Sequence, residues 1–297
     1  MQAAPVGLAV TISVTAAKGA AVAASITTLV QGTMKIMTWM KLKFAIGVGV
    51  AAILAGGATT VVLSGGGAGD DLPPSEVFKR AQEKYASLTS YSDEGKTVAT
   101  LNSTTITHTF TIRLARPNLY RIEWKQNSES SFSTTKTKAQ AVWSAGEGDF
   151  LEMGSGAQKL GSQEMALSSA TGISGGAAAT IPGTFFKMNW GNQLGGSTLS
   201  EKRQADEKVG DVDCYVFTSE LKGRTKTLWI GKLDSLIHQV RTVTSAEAMK
   251  AVLAEAAKRN PEIAARRQKS EPQGSTSTET HVNIVVNKKF SPADFSR

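Results

Sequence analysis

Residues 113–124 read RLARPNLYRIEW, and they are the part of the sequence that says most about the fold. Apolar and polar side chains alternate on each side of Pro117 and Asn118, which is typical of β-strands with one buried face. Proline cannot donate to a strand ladder, and asparagine tolerates the backbone geometry of a turn. The stretch therefore predicts two antiparallel strands joined by a tight turn, the second of which begins with an aromatic side chain.

The same period of two continues along the chain on both sides of this hairpin. Strands are predicted over residues 95–101, 105–115, 119–127, 130–136, 140–144, 208–220, 224–231, 235–244 and 281–286. Between the two groups, residues 154–197 are rich in Gly, Ala and Ser, which favours short helices and loops. Residues 270–280 favour a polar loop before the last strand.

Two amphipathic helices accompany the strands. The first begins near Ser75, the expected N-cap, and repeats its apolar side chains on one face. The second follows residue 244, and Pro261 ends or kinks it. Helix, strand meander, helical insert and further strands predict an α+β fold, with one curved antiparallel sheet and helices on its inner side.

Residues 44–63 form an uncharged apolar run. Twenty residues at about 1.5 Å each give roughly 30 Å of helix, the thickness of the hydrocarbon core of a bilayer. Lysines precede the run at positions 35, 41 and 43, and aspartates follow it at 70 and 71. The positive-inside tendency therefore predicts a single-pass inner-membrane protein with a cytoplasmic N-terminus and a periplasmic C-terminal domain.

The predicted organisation has four parts. They are a cytoplasmic or membrane-associated tail, a transmembrane helix, a linker and an extracytoplasmic domain, over residues 1–40, 41–64, 65–73 and 74–297. A buried core helix and a cleaved signal peptide are the alternatives to a retained span. Small residues at 45, 49, 52 and 56 share one helix face, which favours self-association in the membrane unless small residues are simply abundant there.

The search for catalytic and metal-binding patterns yields no catalytic residue, metal site or cofactor motif. His108, His238 and His281 occur singly, so each is interpreted as a surface or packed strand residue. Residues 172–176 match Gly-x-Ser-x-Gly, but they lie in a predicted loop without the strand and helix that a nucleophile elbow needs. The single cysteine, Cys214, excludes an internal disulfide and is expected to be buried on a strand. We therefore expect a protein that is not an enzyme.

The net charge is +8, and the basic residues are scattered. No basic residues interleave with aromatic ones as a nucleic-acid surface requires, so we expect no direct nucleic-acid binding by this chain. Contact with anionic lipid headgroups, or a merely solvated basic face, fits this charge better.

The hairpin at 113–124 resembles the LolA-like superfamily of outer-membrane lipoprotein carriers and envelope-stress sensors, which have an Arg-Pro-Asn-Leu-aromatic turn between two early strands. The resemblance extends over about residues 74–297. It also rests on the first helix and on the segments that read LTSY, IPGTFF, GDVDCYV and NIVVN, at 88–91, 181–186, 210–216 and 283–287.

The resemblance implies an incomplete β-barrel whose concave apolar face, closed by helices, binds lipid or lipoprotein acyl chains. It implies that Arg116, the arginine of the Arg-Pro turn, handles the ligand. The expected lining consists of Phe110, Ile112, Leu114, Ile122 and Trp124, with Phe185 and Phe186 as lid residues. The alternative for each apolar residue is an ordinary place in the core.

Residues 29–43 resemble the segment that joins some extracytoplasmic-function sigma factors to a C-terminal membrane extension. This suggests that Met1 lies inside a longer reading frame. It also supports a second function, in which the outer domain senses the state of the envelope and signals to cytoplasmic transcription machinery.

Overall fold

The computed structural model describes residues 72–101, 104–129, 134–154, 156–195, 202–259 and 273–297. Its helices are α1 Pro74–Ser87, α2 Gln163–Thr171, α3 Thr180–Phe185 and α4 Ala246–Arg259, with a 3-10 turn at Pro292–Asp294. Its strands are β1 Ser90–Leu101, β2 Thr104–Ala115, β3 Leu119–Glu129, β4 Thr134–Lys136, β5 Gln140–Ser144, β6 Asp149–Glu152, β7 Ala157–Leu160, β8 Lys202–Arg203, β9 Glu207–Val209, β10 Val212–Leu221, β11 Arg224–Gly231, β12 Ile237–Thr244 and β13 Ser275–Val286.

All of these strands belong to one antiparallel sheet that does not close on itself. Its order is β7-β6-β5-β3-β2-β1-β13-β12-β11-β10-β8, with β4 beside β3 and β9 beside β10. The final strand, β13, lies in the middle, between β1 and β12. The predicted α+β class with a single antiparallel sheet is therefore confirmed for the described residues.

The structure changes several predicted boundaries. Residues 275–280 were expected in a loop but belong to β13, because alternating Ser and Thr fit a central strand that pairs on both sides. The segment 208–220 is two strands around a turn at Gly210. The strands β6 and β7 were not predicted, since each has only four residues and little alternation.

The first helix begins two residues earlier than predicted. Pro73 is its N-cap, no side chain caps it, and Pro74 occupies its first turn. Proline suits this position because the first amide of a helix has no partner within the helix. Ser75 therefore lies inside the helix, and the predicted Ser75 cap is wrong.

The helix α1 packs its apolar side on one face of the sheet, which we call the inner face. The ring of Phe78 meets that of Phe217 on β10 edge-on at 4.9 Å. Tyr85 accepts a hydrogen bond from the backbone amide of Ile237 on β12 at 3.2 Å, and its ring lies 6.2 Å from that of Tyr91 on β1. The inner face and its helices share one hydrophobic core.

The predicted tail and transmembrane helix, and the linker up to residue 71, lie outside the described residues. Among the residues that the structure describes, no helix is both long enough and apolar enough to cross a membrane.

Candidate functional site

The five apolar side chains predicted to line a ligand site lie together on the inner face. Phe110 on β2 is paired in register with Trp124 on β3, and Ile112 is paired with Ile122. Leu114 continues the row on β2. Because strand partners in register project to the same side, the alternation in the sequence correctly groups these residues. All five are at least 96 % buried in the shared core.

The described residues 162–195, which we call the insert, cover this part of the inner face. The insert contains α2 and α3 and lies between β7 and β8 in the sequence. Phe185 is fully buried at the end of α3, and Phe186 is half-buried beside it with the two rings at a right angle. The Phe186 ring also meets Tyr120 on β3 at 6.4 Å. Phe186 thus contacts β3 beside the predicted lining, and Phe185 packs next to it in the shared core.

Arg116 connects the insert to α1. Its Nε donates to the carbonyl of Leu88 at 3.0 Å, and its Nη2 donates to the carbonyls of Tyr85 at 3.2 Å and Phe185 at 2.7 Å. Its guanidinium also lies 4.6 Å from the centre of the Phe185 ring. The last carbonyls of a helix carry partial negative charge and have no partner within the helix, so a cation is favourable there. The arginine turn therefore ties two helix ends to the sheet.

A buried ionic cluster ties the other side of the insert to the sheet. His281 Nδ1 lies 2.6 Å from Asp93 Oδ2, and its Nε2 lies 3.3 Å from Glu279 Oε1. Tyr91 donates to the same Asp93 oxygen at 2.7 Å. From the insert, the Thr180 hydroxyl donates to Glu279 Oε2 at 2.7 Å. This bond and those of Arg116 hold α3 near both of its ends.

The two carboxylates keep His281 charged. Burial alone lowers the pKa of a histidine, but the charges and hydrogen bonds of Asp93 and Glu279 outweigh it and raise the pKa of His281 to about 10. The hydroxyl groups of Tyr91 and Thr180 donate further hydrogen bonds to the two carboxyl groups of the cluster.

His108 lies on the same face without such support. It is 3 % exposed and pairs in register with Thr97 on β1 and Gln126 on β3. Neither ring nitrogen makes a hydrogen bond of ordinary geometry to any described residue, and neither does the Thr97 hydroxyl. Burial lowers the pKa of His108 to about 4, against a weaker opposite effect of Gln126 and the Ile173 backbone. His108 is therefore neutral at pH 7.

Sequence reasoning did not bring these polar groups together. Of the two expected places for His108 and His281, on the surface or packed on a strand, the structure shows the packed one, and Asp93, Thr97 and Glu279 were not singled out. One signal was available, because His108 alternates in phase with Phe110 and Ile112 and so shares the face of the predicted lining. No local signal joins Asp93 to His281, which follows it by 188 positions.

Ser174 and Cys214 are both buried parts of the fold. Ser174 is fully buried, donates to the Thr171 carbonyl at 3.2 Å and accepts from the Ala178 amide at 3.1 Å, so its hydroxyl serves the turn after α2. Cys214 is buried on β10 as predicted, and burial raises the pKa of its thiol to about 12. Such a thiol stays protonated and unreactive.

No protein-family model matches the chain, and no curated protein matches it. Solved structures do resemble it. A chain of the MucA/MucB complex of Pseudomonas aeruginosa is 11 % identical with a TM-score of 0.37, and the match covers 75 % of this chain and 60 % of that one. This chain thus spans about three fifths of that relative.

Two shorter proteins match over most of their length. A putative outer membrane lipoprotein-sorting protein domain from Vibrio parahaemolyticus is 8 % identical with a TM-score of 0.27, covering 74 % of this chain and 95 % of that one. A DUF1329 family protein from Desulfovibrio piger is 10 % identical with a TM-score of 0.29, covering 76 % and 98 %. At these identities the likeness concerns the fold alone.

Proposed function

We propose that the domain binds a hydrophobic ligand between the inner face of the sheet and the insert, without catalysis. The ligand is a lipid or the acyl chain of an acylated peptide or lipoprotein. The observation that carries this proposal is that the insert covers an apolar face while Arg116 and Thr180 hold it by side-chain hydrogen bonds. Such a cover can leave without disrupting the sheet.

The free energy of burying a few apolar side chains of the insert is similar to the free energy of burying an acyl chain. Burying Ile181, Phe185 or Leu167 of the insert stabilises the closed state by about 1.5–3 kcal/mol each. A ligand that takes their place contributes about 0.8 kcal/mol for each buried CH₂ group, so roughly ten such groups replace the contacts of three to five side chains. Exchange of insert for acyl chain is thus feasible for chains of ordinary lipid length.

The test compares two phenylalanines of similar exposure on opposite faces of the sheet. The full-length chain, purified in amphipol after expression in a Gram-negative host, is expected to retain lipid detectable by native mass spectrometry. Phe186→Ser removes an aromatic ring from the insert beside the inner face, and we expect at least a fivefold drop in lipid occupancy. Phe150→Ser, where the ring stacks on Trp143 at the outer face, should leave occupancy unchanged.

Equal lipid occupancy in Phe186→Ser and the wild type would contradict the proposed location. A wild-type chain that carries no lipid, and takes up neither added phospholipid nor an acylated peptide, would contradict the function itself.

We further propose that the domain is periplasmic and tethered by a single span over residues 41–64, which favours local holding or sensing over long-range transport. The alternative is an envelope sensor coupled to a sigma factor, supported by the resemblance of residues 29–43. Transcript mapping upstream of Met1 separates the two, because an in-frame DNA-binding region there would make sensing the primary role.

A further inference from the structure

The histidine on the inner face is in contact with the insert at a point where only glycine fits. A Cβ added to Gly175 would lie 2.5 Å from His108 Nδ1, closer than real Cβ contacts allow. Gly175 also has a φ of 67°, which favours glycine. The backbone of the insert thus lies directly on the His108 ring and excludes water from it.

None of the groups that contact the His108 ring in this closed arrangement carries a charge that could pair with its proton. The facing groups are Thr97 on β1, Gln126 on β3, and Ile173 and Gly175 on the insert, none of which titrates. The acidic groups on the inner face of neighbouring strands, Asp93 and Glu279, are engaged by His281 and by the Tyr91 and Thr180 hydroxyls. A buried unpaired charge is strongly unfavourable, so the charged ring favours any state that admits water.

We propose that the insert is a lid that opens in acid, with protonation of His108 beneath Gly175 as the trigger. This inference rests on the proposed function only in taking a hydrophobic ligand to be what enters when the insert opens. It adds the control of access to the inner face. Opening requires the Thr180–Glu279 bond and the bond from Arg116 to the Phe185 carbonyl to break, while the sheet itself keeps its pairing.

The sign and size of the effect follow from proton linkage. His108 has a lowered pKa in the closed state, so its contribution to closure is fully present above its ordinary pKa and is lost as the pH falls from about 6.5 to about 4. The ratio of open to closed insert should rise about 30-fold between pH 8 and pH 5. His281 does not oppose this change, because its partners Asp93 and Glu279 are on the sheet and stay paired with it when the insert opens, so it is charged in both states.

Amide hydrogen exchange of the full-length chain in lipid nanodiscs tests the proposal. Protection factors, corrected for the intrinsic pH dependence of exchange, are measured from pH 8 to pH 4.5. We expect protection of residues 163–188 to fall about 30-fold by pH 5, while β10 and β11 stay protected. His108→Gln, whose side chain cannot titrate, should remove the pH dependence. His238→Gln, which alters a buried histidine paired with Asp234, should keep it.

Two results would overturn the proposal. One is a wild-type insert whose protection does not depend on pH, and the other is a His108→Gln variant that keeps the full pH dependence, which would assign the response to Asp93 or Glu279.

If His108→Gln does not fold by circular dichroism, Gly175→Ala decides, because its methyl group should open the insert already at pH 7.5. Unchanged protection in that variant would contradict the trigger. Exchange reports on the insert whether or not a ligand binds, so failure here is distinct from failure of the proposed function.

Discussion

Gly95 on β1 has no side chain, and this makes room for the Phe110 ring at the centre of the inner face. Gly95 pairs in register with Phe110 on one side and with His281 on the other. The Phe110 ring lies over this gap, with its centre 5.6 Å from that of the His281 ring. The aromatic row and the ionic cluster therefore meet across a glycine.

Gly95→Ala should destabilise the domain because the new Cβ would lie 2.4 Å from the Phe110 ring and 2.5 Å from the Thr280 carbonyl oxygen, which is backbone and cannot rotate away. Overpacking of this kind costs about 1–3 kcal/mol. For a domain of this size, each kcal/mol lowers the melting temperature by about 2–4 °C. Differential scanning fluorimetry measures the shift.

The matched control is Gly172→Ala at the end of α2. Nothing lies within 4 Å of its Cβ position, and its φ of −68° suits alanine. We expect a stability change within about 0.5 kcal/mol. A Gly95→Ala variant that melts at the wild-type temperature would contradict the prediction. It would show that the inner face can accommodate a methyl group beside Phe110.

At the scale of elements, the insert is joined to the sheet at two separate points near the ends of α3. Arg116 reaches the carbonyl of Phe185 at its C-terminal end, and Glu279 accepts the hydroxyl of Thr180 at its N-terminal end. The arginine belongs to the turn between β2 and β3 and also contacts α1. The two points differ in chemistry, since only the second adjoins titratable groups on the inner face.

Arg116→Met should loosen α3 at every pH, because methionine keeps an apolar stem but cannot donate to three carbonyls. Loss of charged hydrogen bonds of this kind costs about 1–3 kcal/mol, which corresponds to a 5- to 150-fold increase in opening. Amide exchange of residues 181–188 at pH 7.5 measures it. Arg113→Met is the matched control on the outer face of the adjoining strand β2, where Arg113 donates a 3.4 Å hydrogen bond to the Asp294 carbonyl.

An Arg116→Met variant with wild-type exchange in α3 would show that apolar packing alone holds the insert. An equal increase in Arg113→Met would instead indicate a general loosening of β2.

At the scale of the whole domain, the first and last strands are neighbours. The strand β1 pairs with β13 over its length, so the strands that precede the insert and those that follow it meet along this one pairing. Asp93 from β1 and His281 and Glu279 from β13 meet only through it. This pairing joins residues as far apart in sequence as Asp93 and His281, so it closes a loop of nearly the whole domain.

The proposed membrane topology is tested on the whole chain. Alkaline phosphatase fused after residue 297 should be active, and green fluorescent protein fused there should be dark after export, because the positive-inside tendency orients the chain with lysines 35, 41 and 43 in the cytoplasm. The same reporters fused before Met1 are the control and should give the reverse pattern. Fluorescence from the C-terminal fusion would contradict a periplasmic domain.

The local features of this protein follow from its sequence. Period-two alternation identifies the strands around Pro117 and groups Phe110, Ile112 and Ile122 on one face, because side-chain direction in a strand depends only on position. The strand at 275–280 was not predicted because Ser and Thr occur in loops as readily as in central strands. Only the neighbouring strands that pair with this segment distinguish the two.

Which residues of these faces meet depends on how the whole chain packs. Arg116 meets the ends of two helices, Asp93 meets His281, and Gly175 lies on His108, although no two of these partners are close in sequence. Their meeting depends on the β1–β13 pairing and on where the insert packs, and both are set by hydrophobic burial across the whole domain. Because burial is not directional, a sequence pattern specifies which side chains are buried and leaves to the packed chain which of them touch.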